Sequence, residues 1–249
     1  MRLYVDQGNS RIKLWLIDDR RIRAEAVCDS VSDAARWLAG LDVSALAAQV
    51  SSVAGQRADE ALTQALMPWV VTWCFARVDP ARLPTVYAEP GRLGVDRWLA
   101  VLAATPAAGA AIVVDAGTAF TVDALSAEGR HLGGYILPGL SLQRDALAAR
   151  TARVSFPDPD WSEISWGDST SRCVCQGSLQ ALVALVQAAT ARLQAESGVV
   201  PRVLLTGGDA RHVLPHLRAE HHPLLVLEGL AVYGRDERAL AAIRLREGL

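Results

Sequence analysis

The stretch Leu3-Tyr4-Val5-Asp6-Gln7-Gly8-Asn9-Ser10, continued by Arg11-Ile12-Lys13-Leu14-Trp15-Leu16-Ile17, decides how this chain is read. An apolar run ends in a carboxylate and a glycine follows. Ile12, Leu14 and Leu16 then alternate with Arg11, Lys13 and Trp15 at the two-residue period of a strand. The pattern predicts a β-hairpin with Asp6 near its tip. The device returns 109 residues later as Ile112-Val113-Val114-Asp115-Ala116-Gly117-Thr118, with a second strand running through Leu125. Each hairpin is expected to continue into a third strand, over 20–27 and 131–136. Glycine at each tip is expected to let the backbone turn and present its amides to an anion. The reading is a two-sided phosphate clamp on a duplicated α/β chain, divided into domains 1–108 and 109–249.

Composition narrows the partner. The chain has 249 residues, of which 51% are hydrophobic, and a formal net charge of -2. It can bury ample core and has no general electrostatic reason to bind nucleic acid or an anionic membrane. A small molecule is the expected ligand. Met1 leads straight into a strand, and no uninterrupted apolar run reaches membrane-spanning length, so a cytoplasmic protein is expected. Cys28, Cys74, Cys173 and Cys175 lack Cys-x-x-Cys pairing and read as free thiols. Cys173-x-Cys175 and the His212, His216 pair have the spacing of metal ligands. Ordinary helix-face cysteines and solvent-facing histidines are the preferred readings, and zinc is not expected. Among 24 arginines and a single lysine, Lys13 stands out. A compact ammonium can follow a phosphate in a tight site, and the alternative is a solvated lysine on an edge strand.

Between the repeats, Ser32 to Gly40 reads as a helix, Ala48 to Val53 as a strand, Gln56 to Met67 as a helix and Val70 to Cys74 as a strand. Pro80, Pro84, Pro90, Gly91 and Gly94 forbid a regular element over 77–94. A long loop therefore leads into a helix from Val95 to Thr105. In the second half, Pro138-Gly139 opens a helix to about Ala149, and 151–167 reads as irregular around Pro157 and Pro159. A helix from Ser169 to Glu196 turns Leu179, Leu182, Val183 and Val186 toward a core and ends at Gly198. Strand Arg202 to Leu205, the Thr206-Gly207-Gly208-Asp209-Ala210 turn into a helix, strand Leu224 to Leu227 and a closing helix from Glu228 complete the expectation.

Three places could carry chemistry. The first hairpin offers the amides of Gly8 to Ser10, the Asn9 amide, the Ser10 hydroxyl and the Lys13 charge to a polyphosphate. Asp6 is placed to hold Mg²⁺ or its waters. A short hairpin of this kind is also common without any ligand. The glycine turn after strand 202–205 could admit a ribose or phosphate to a helix N-terminus, or could serve only as a helix start with Asp209 as N-cap. Asp96, where the long loop enters its helix, is either favoured by the helix dipole or aimed at a substrate hydroxyl. Arg97 could pair with a substrate carboxylate or with a surface acid.

In order along the chain, the motifs Asp6-x-Gly8-Asn9-Ser10-x-x-Lys13, Gly94-x-Asp96-Arg97, Asp115-x-Gly117-Thr118-Ala119-x-Thr121, Gly133-Gly134-Tyr135-Ile136-x-Pro138-Gly139 and Thr206-Gly207-Gly208-Asp209 resemble those of the type III pantothenate kinases. That family belongs to the actin-like superfamily, with acetate and sugar kinases and heat-shock chaperone ATPases. The resemblance implies two similar actin-like (ribonuclease H-like) domains, each a mixed five-stranded sheet with flanking helices, and ATP-dependent phosphorylation of pantothenate. It implies ATP contacts at Asp6, Gln7, Gly8, Asn9, Ser10, Arg11, Ile12, Lys13 and Thr118. It also implies a monovalent cation, K⁺ or NH₄⁺, at Asp115, and Mg²⁺ reached through water from Asp6. Asp96 would accept the proton from pantothenate, within a pocket of Tyr87, Gly94, Val95, Asp96 and Arg97, with Thr170 as a later contact. A homodimer is implied as well. Ser10, Val95 and Phe120 depart mildly from the family pattern. Two alternatives stay open: a nucleotide-binding regulatory or accessory protein, and a kinase of another small molecule.

Overall fold

The computed structural model describes residues 1–150 and 160–248. Its first sheet contains β1 (Arg2–Gln7), β2 (Ile12–Asp18), β3 (Arg21–Cys28), β4 (Leu46–Ser52) and β5 (Val70–Phe75), with α1 (Val31–Ala39) and α2 (Gln56–Leu66) in the connections. The strand order is β3-β2-β1-β4-β5. β1, β2 and β3 pair antiparallel, while β4 and β5 join in parallel after their crossover helices. Leu3, Val5, Ile12, Leu14 and Leu16 point to one face and pack with Ala34, Leu38, Leu62 and Leu66 of α1 and α2. Tyr4, Trp15 and Ile17 point the other way and are buried too. This sheet is therefore covered on both faces.

After α3 (Val95–Ala104), the second sheet forms from β6 (Ala111–Ala116), β7 (Ala119–Leu125), β8 (His131–Pro138), β9 (Arg202–Thr206) and β10 (Glu220–His221). Read from β8, its order β8-β7-β6-β9-β10 repeats the first sheet strand for strand. The senses of pairing repeat as well. Helices α4 (Leu140–Arg150), α5 (Thr170–Ser197) and α6 (Ala210–Val213) accompany it, and α7 (Leu225–Tyr233) and α8 (Glu237–Glu247) close the chain. Ser169 caps α5 by accepting from the Arg172 N–H, and Gly198 ends it in the left-handed region.

By length and hydropathy, α5 is the one helix among the described residues that could cross a membrane. Leu179, Leu182, Val183, Val186, Ala189 and Leu193 instead pack against Ile112, Val114, Phe120 and Val122, as a core helix does. The expected irregular segment 151–167 lies outside the described residues over 151–159. From Asp160 to Ser169 it holds no helix or strand.

The structure corrects the end of the chain. Leu224 to Leu227 is not a strand, because the apolar run continues through Gly229, Leu230 and Ala231 and forms α7, with Leu225 to Ala231 buried. A four-residue apolar run does not by itself separate strand from helix. The fifth strand is instead Glu220–His221, two polar residues paired with Leu204 and Leu205. The boundary also differs from 1–108 and 109–249. One compact unit comprises 1–82, 87–103 and 224–249, and the other comprises 83–86 and 104–223. α7 lies on β1 and β4, and α8 on β2 and β3. Gly229 allows the close approach, since a side chain there would overlap the Leu99 carbonyl of α3.

Candidate active site

In the first hairpin Gln7 pairs with Ile12, so the tip is Gly8-Asn9-Ser10-Arg11. The Gly8 N–H donates to the Arg11 carbonyl at 3.0 Å. That amide is engaged within the turn, and the expectation that it faces an anion is corrected. Neither Gly8 nor Gly117 has a positive φ. These glycines give the tips room and are not required by backbone conformation.

Asp6 stands opposite Lys13 in the β1–β2 register, with Lys13 Nζ 3.7 Å from Asp6 Oδ2. Burial raises the Asp6 carboxyl above its ordinary range, while the Lys13 charge and the Ser51 hydroxyl pull it down. β2 lies between β1 and β3, so Lys13 is not on an edge strand. Asn9, Ser10 and Arg11 are exposed. Gln7 and Ile12 point to the opposite face from Asp6. Gln7 Nε2 donates to the Ala58 carbonyl at 3.2 Å, and Ile12 packs in the core of the first sheet. Their side chains serve packing.

The second tip is one residue shorter, because Ala116 pairs with Phe120. Asp115 lies between Thr121 on β7 and Thr206 on β9, as Asp6 lies between Lys13 on β2 and Ser51 on β4. Where the first hairpin has an ammonium, the second has a hydroxyl. An all-oxygen set of one carboxylate and two threonines fits a hard monovalent cation. Two backbone segments close on this tip. The Asp209 N–H donates to the Ala116 carbonyl at 2.8 Å, and the Gly139 N–H to the Thr118 carbonyl at 2.8 Å. Gly207 has φ +98, and side chains at Gly207 or Gly139 would overlap the tip backbone. Asp209 takes the N-cap position of α6 without making a side-chain capping bond.

The sequence reading missed Ser51 and Thr206 as neighbours of the two aspartates. Strand register is the signal that locates them: with each Asp next to last in its central strand, the next-to-last residue of β4 and the last residue of β9 fall beside it.

At the start of α3, Asp96 Oδ1 accepts from the Arg97 N–H at 2.8 Å. A side chain at Gly94 would come within 2.7 Å of that oxygen. Arg97 is buried and donates from Nη1 to the Tyr87 hydroxyl at 3.2 Å. Val95 is buried. Asp6 to Lys13, Tyr87 and Gly94 to Arg97 belong to the first unit, whereas Asp115, Thr118 and Thr170 belong to the second. Thr170 is the exposed first residue of α5.

The possible metal-ligand pairs are resolved differently. His212 is half-buried with its ring against Trp161 at 5.5 Å, so it is not solvent-facing as expected. Burial and the Arg211 charge hold its imidazole below the ordinary range. Cys173 is exposed and Cys175 buried, and all four cysteines are free.

A profile of the family described as type III pantothenate kinase matches residues 2–192. The type III pantothenate kinase of Thiobacillus denitrificans is 36% identical over 234 residues, covering 92% of this chain and 94% of that protein. That of Marinobacter nauticus is 35% identical over 252 residues, covering 98% and 100%. Among solved structures, a Baf family transcriptional activator from Campylobacter jejuni superposes with a TM-score of 0.61 at 19% identity, covering 94% of this chain and 99% of that one. The ethanolamine utilization protein EutJ from Carboxydothermus hydrogenoformans superposes with a TM-score of 0.52 at 17% identity, covering 94% and 89%. These two structures share the fold. Sequence similarity over nearly the whole length carries the narrower conclusion: this chain belongs to the type III pantothenate kinase family.

Proposed function

We propose that this enzyme transfers the γ-phosphoryl group of ATP to the primary hydroxyl of pantothenate, giving 4'-phosphopantothenate and ADP, the first step of coenzyme A biosynthesis. The observation that carries the reading is the match, over more than nine-tenths of both chains, to relatives named for this activity. The pairing of Asp6 with Lys13 and of Arg97 with Tyr87 supports it.

In this reading Asn9, Ser10, Lys13 and Thr118 contact the ATP phosphates, and Lys13 balances charge that develops as the bond to the leaving oxygen breaks. Asp6 would hold magnesium or its waters, and the ion would supply charge that neutralises the phosphates. Asp96 accepts the hydroxyl proton as the pantothenate oxygen attacks phosphorus. A loose transition state asks mainly for orientation of that hydroxyl, so a modest base suffices. Arg97 and Tyr87 orient the acceptor, and Thr170 is a further contact. Asp115 holds a monovalent cation. A homodimer in the cytoplasm completes the proposal, and light scattering of the purified protein measures its oligomeric state.

Incubation with ATP, Mg²⁺, K⁺ or NH₄⁺ and a panel of hydroxyl compounds tests the assignment, with phosphopantothenate as the expected product. Its absence would favour the accessory-protein reading, and a different phosphorylated product would favour the other-kinase reading. Asp96→Asn is expected to lower turnover by roughly two to four orders of magnitude while ATP binding survives. For the cation, K⁺ is titrated at constant ionic strength against wild type and Asp115→Asn. Wild type should need K⁺ and the variant should respond weakly. Equal activity in Na⁺ alone would make Asp115 a structural carboxylate.

A further inference from the structure

Ser51, the next-to-last residue of β4, has no solvent exposure, and among the described residues its Oγ has no hydrogen-bond partner. The register of β4 on β1 sets it beside Asp6 on one face of the first sheet, and Lys13 stands beside Asp6 on the other side. All three belong to the first unit. The Ser51 hydroxyl is near enough to favour the Asp6 anion, yet it completes no hydrogen bond. Its neighbour Ser52 points to the opposite face and donates to Asp59. The end of β4 therefore allows a serine to find a partner, and Ser51 is orphaned beside a carboxylate.

A buried hydroxyl left without a partner is costly, and alanine at this place would avoid the cost. The hydroxyl is explained by a bond completed when a ligand arrives, since hydrogen bonds of a catalytic site are often long in the free protein and tighten in the complex. An ionised carboxylate only accepts and offers about four lone-pair sites, so Asp6 can take the Ser51 hydroxyl, the Lys13 ammonium and a water of a hydrated cation together. That set fits magnesium, a hard cation that keeps several of its waters and meets a protein through one or two carboxylates. Lys13 Nζ is 3.7 Å from Asp6 Oδ2 and its side chain is 39% exposed, so the ammonium is free to turn toward a phosphate. Ser51 is enclosed and stays with the carboxylate.

We propose that Ser51 is a positioning residue for the first hairpin: its enclosed hydroxyl donates to the Asp6 carboxylate once Mg²⁺ and nucleotide are bound, and so fixes the oxygen that faces the ion's waters. The inference rests on the reading of Asp6 as the magnesium side of the site, and it is independent of which hydroxyl compound accepts the phosphoryl group.

Ser51→Ala removes the hydroxyl, and Ser51→Cys keeps the shape with a thiol that donates weakly. ATP affinity is measured by calorimetry without an acceptor, once with Mg²⁺ and once with excess EDTA, so that the ratio of the two isolates the ion. In both variants affinity with Mg²⁺ should fall about tenfold, the loss of one hydrogen bond to a charged group, while affinity in EDTA stays within about twofold of wild type. Added to Asp6→Ala, Ser51→Ala should change the ratio less than about twofold, because the acceptor is gone. The ligand-free Ser51→Ala protein should melt within about 3 °C of wild type, since no bond is lost there. A much lower melting temperature, equal losses with Mg²⁺ and EDTA, or the same loss with and without the Asp6 carboxylate would each make Ser51 a structural residue and overturn the proposal. A ratio that differs between wild type and Asp6→Ala but is unchanged in Ser51→Ala overturns the role of Ser51 and leaves Asp6 in place. If wild type and Asp6→Ala share one ratio, the reading of Asp6 fails and the inference falls with it.

Discussion

Lys13 and Thr121 occupy equivalent places opposite Asp6 and Asp115, and this single exchange separates the two hairpins chemically. Lys13→Arg retains the charge but replaces a compact ammonium with a wider fork, so turnover should fall about tenfold or more in a protein with wild-type circular dichroism. Near-normal kinetics would make Lys13 a solvated strand residue. Gly94→Ala tests Asp96 from the other side. The added methyl would meet the mobile end of a side chain rather than backbone, so the fold should survive with the carboxylate displaced. Turnover is then expected to drop about a hundredfold at a nearly unchanged melting temperature. The strand ends that carry both aspartates were legible in the sequence. The register that sets Ser51 beside Asp6 and Thr206 beside Asp115 was not, because pairing across a crossover helix leaves no local signature.

Hairpins and long helices were legible because alternation and helical spacing run over many residues. β10 escaped because two polar residues carry no period, and α7 was misread because its first four residues suit either state. The glycines divide by cause, which gives a prediction. Gly8 has ordinary backbone angles, and a methyl added there would sit 3.4 Å from the Arg11 carbonyl, so Gly8→Ala should change stability by less than about 1 kcal/mol. At Gly139 the same change would drive a methyl into the Gly117 and Thr118 carbonyls, and a loss of about 3 kcal/mol or failure to fold is expected. Chemical denaturation of both variants measures the difference, and equal stability would show that the second tip can give way.

At the scale of the molecule, the return of α7 and α8 to the first sheet converges on Asp236. Its carboxylate accepts from the Tyr4 hydroxyl at 2.8 Å, from Arg2 at 2.6 Å and from the Arg238 and Ala239 amides at the start of α8. Burial works against its charge. The Ala239 amide, Tyr4, Arg2 and the Arg238 amide outweigh burial and hold the carboxyl below its ordinary range. A depressed carboxyl contributes stability that is complete above the unfolded value, about 3.9, and is lost as pH falls from there through the folded value. Wild type should therefore melt well above Asp236→Asn at pH 7, with the gap narrowing below about pH 4. A gap that is constant down to pH 2 would exclude the linkage. The duplication was legible at this scale, but the return was not, since nothing local in 224–249 names the sheet it covers. That return has a consequence for synthesis. Translation releases the chain from its N-terminus at about 5–20 residues per second, so all of 83–223 emerges before the helices that cover Tyr4 and Trp15. The unit begun first is completed last, and a ribosome stalled near residue 223 would display that sheet face to chaperones.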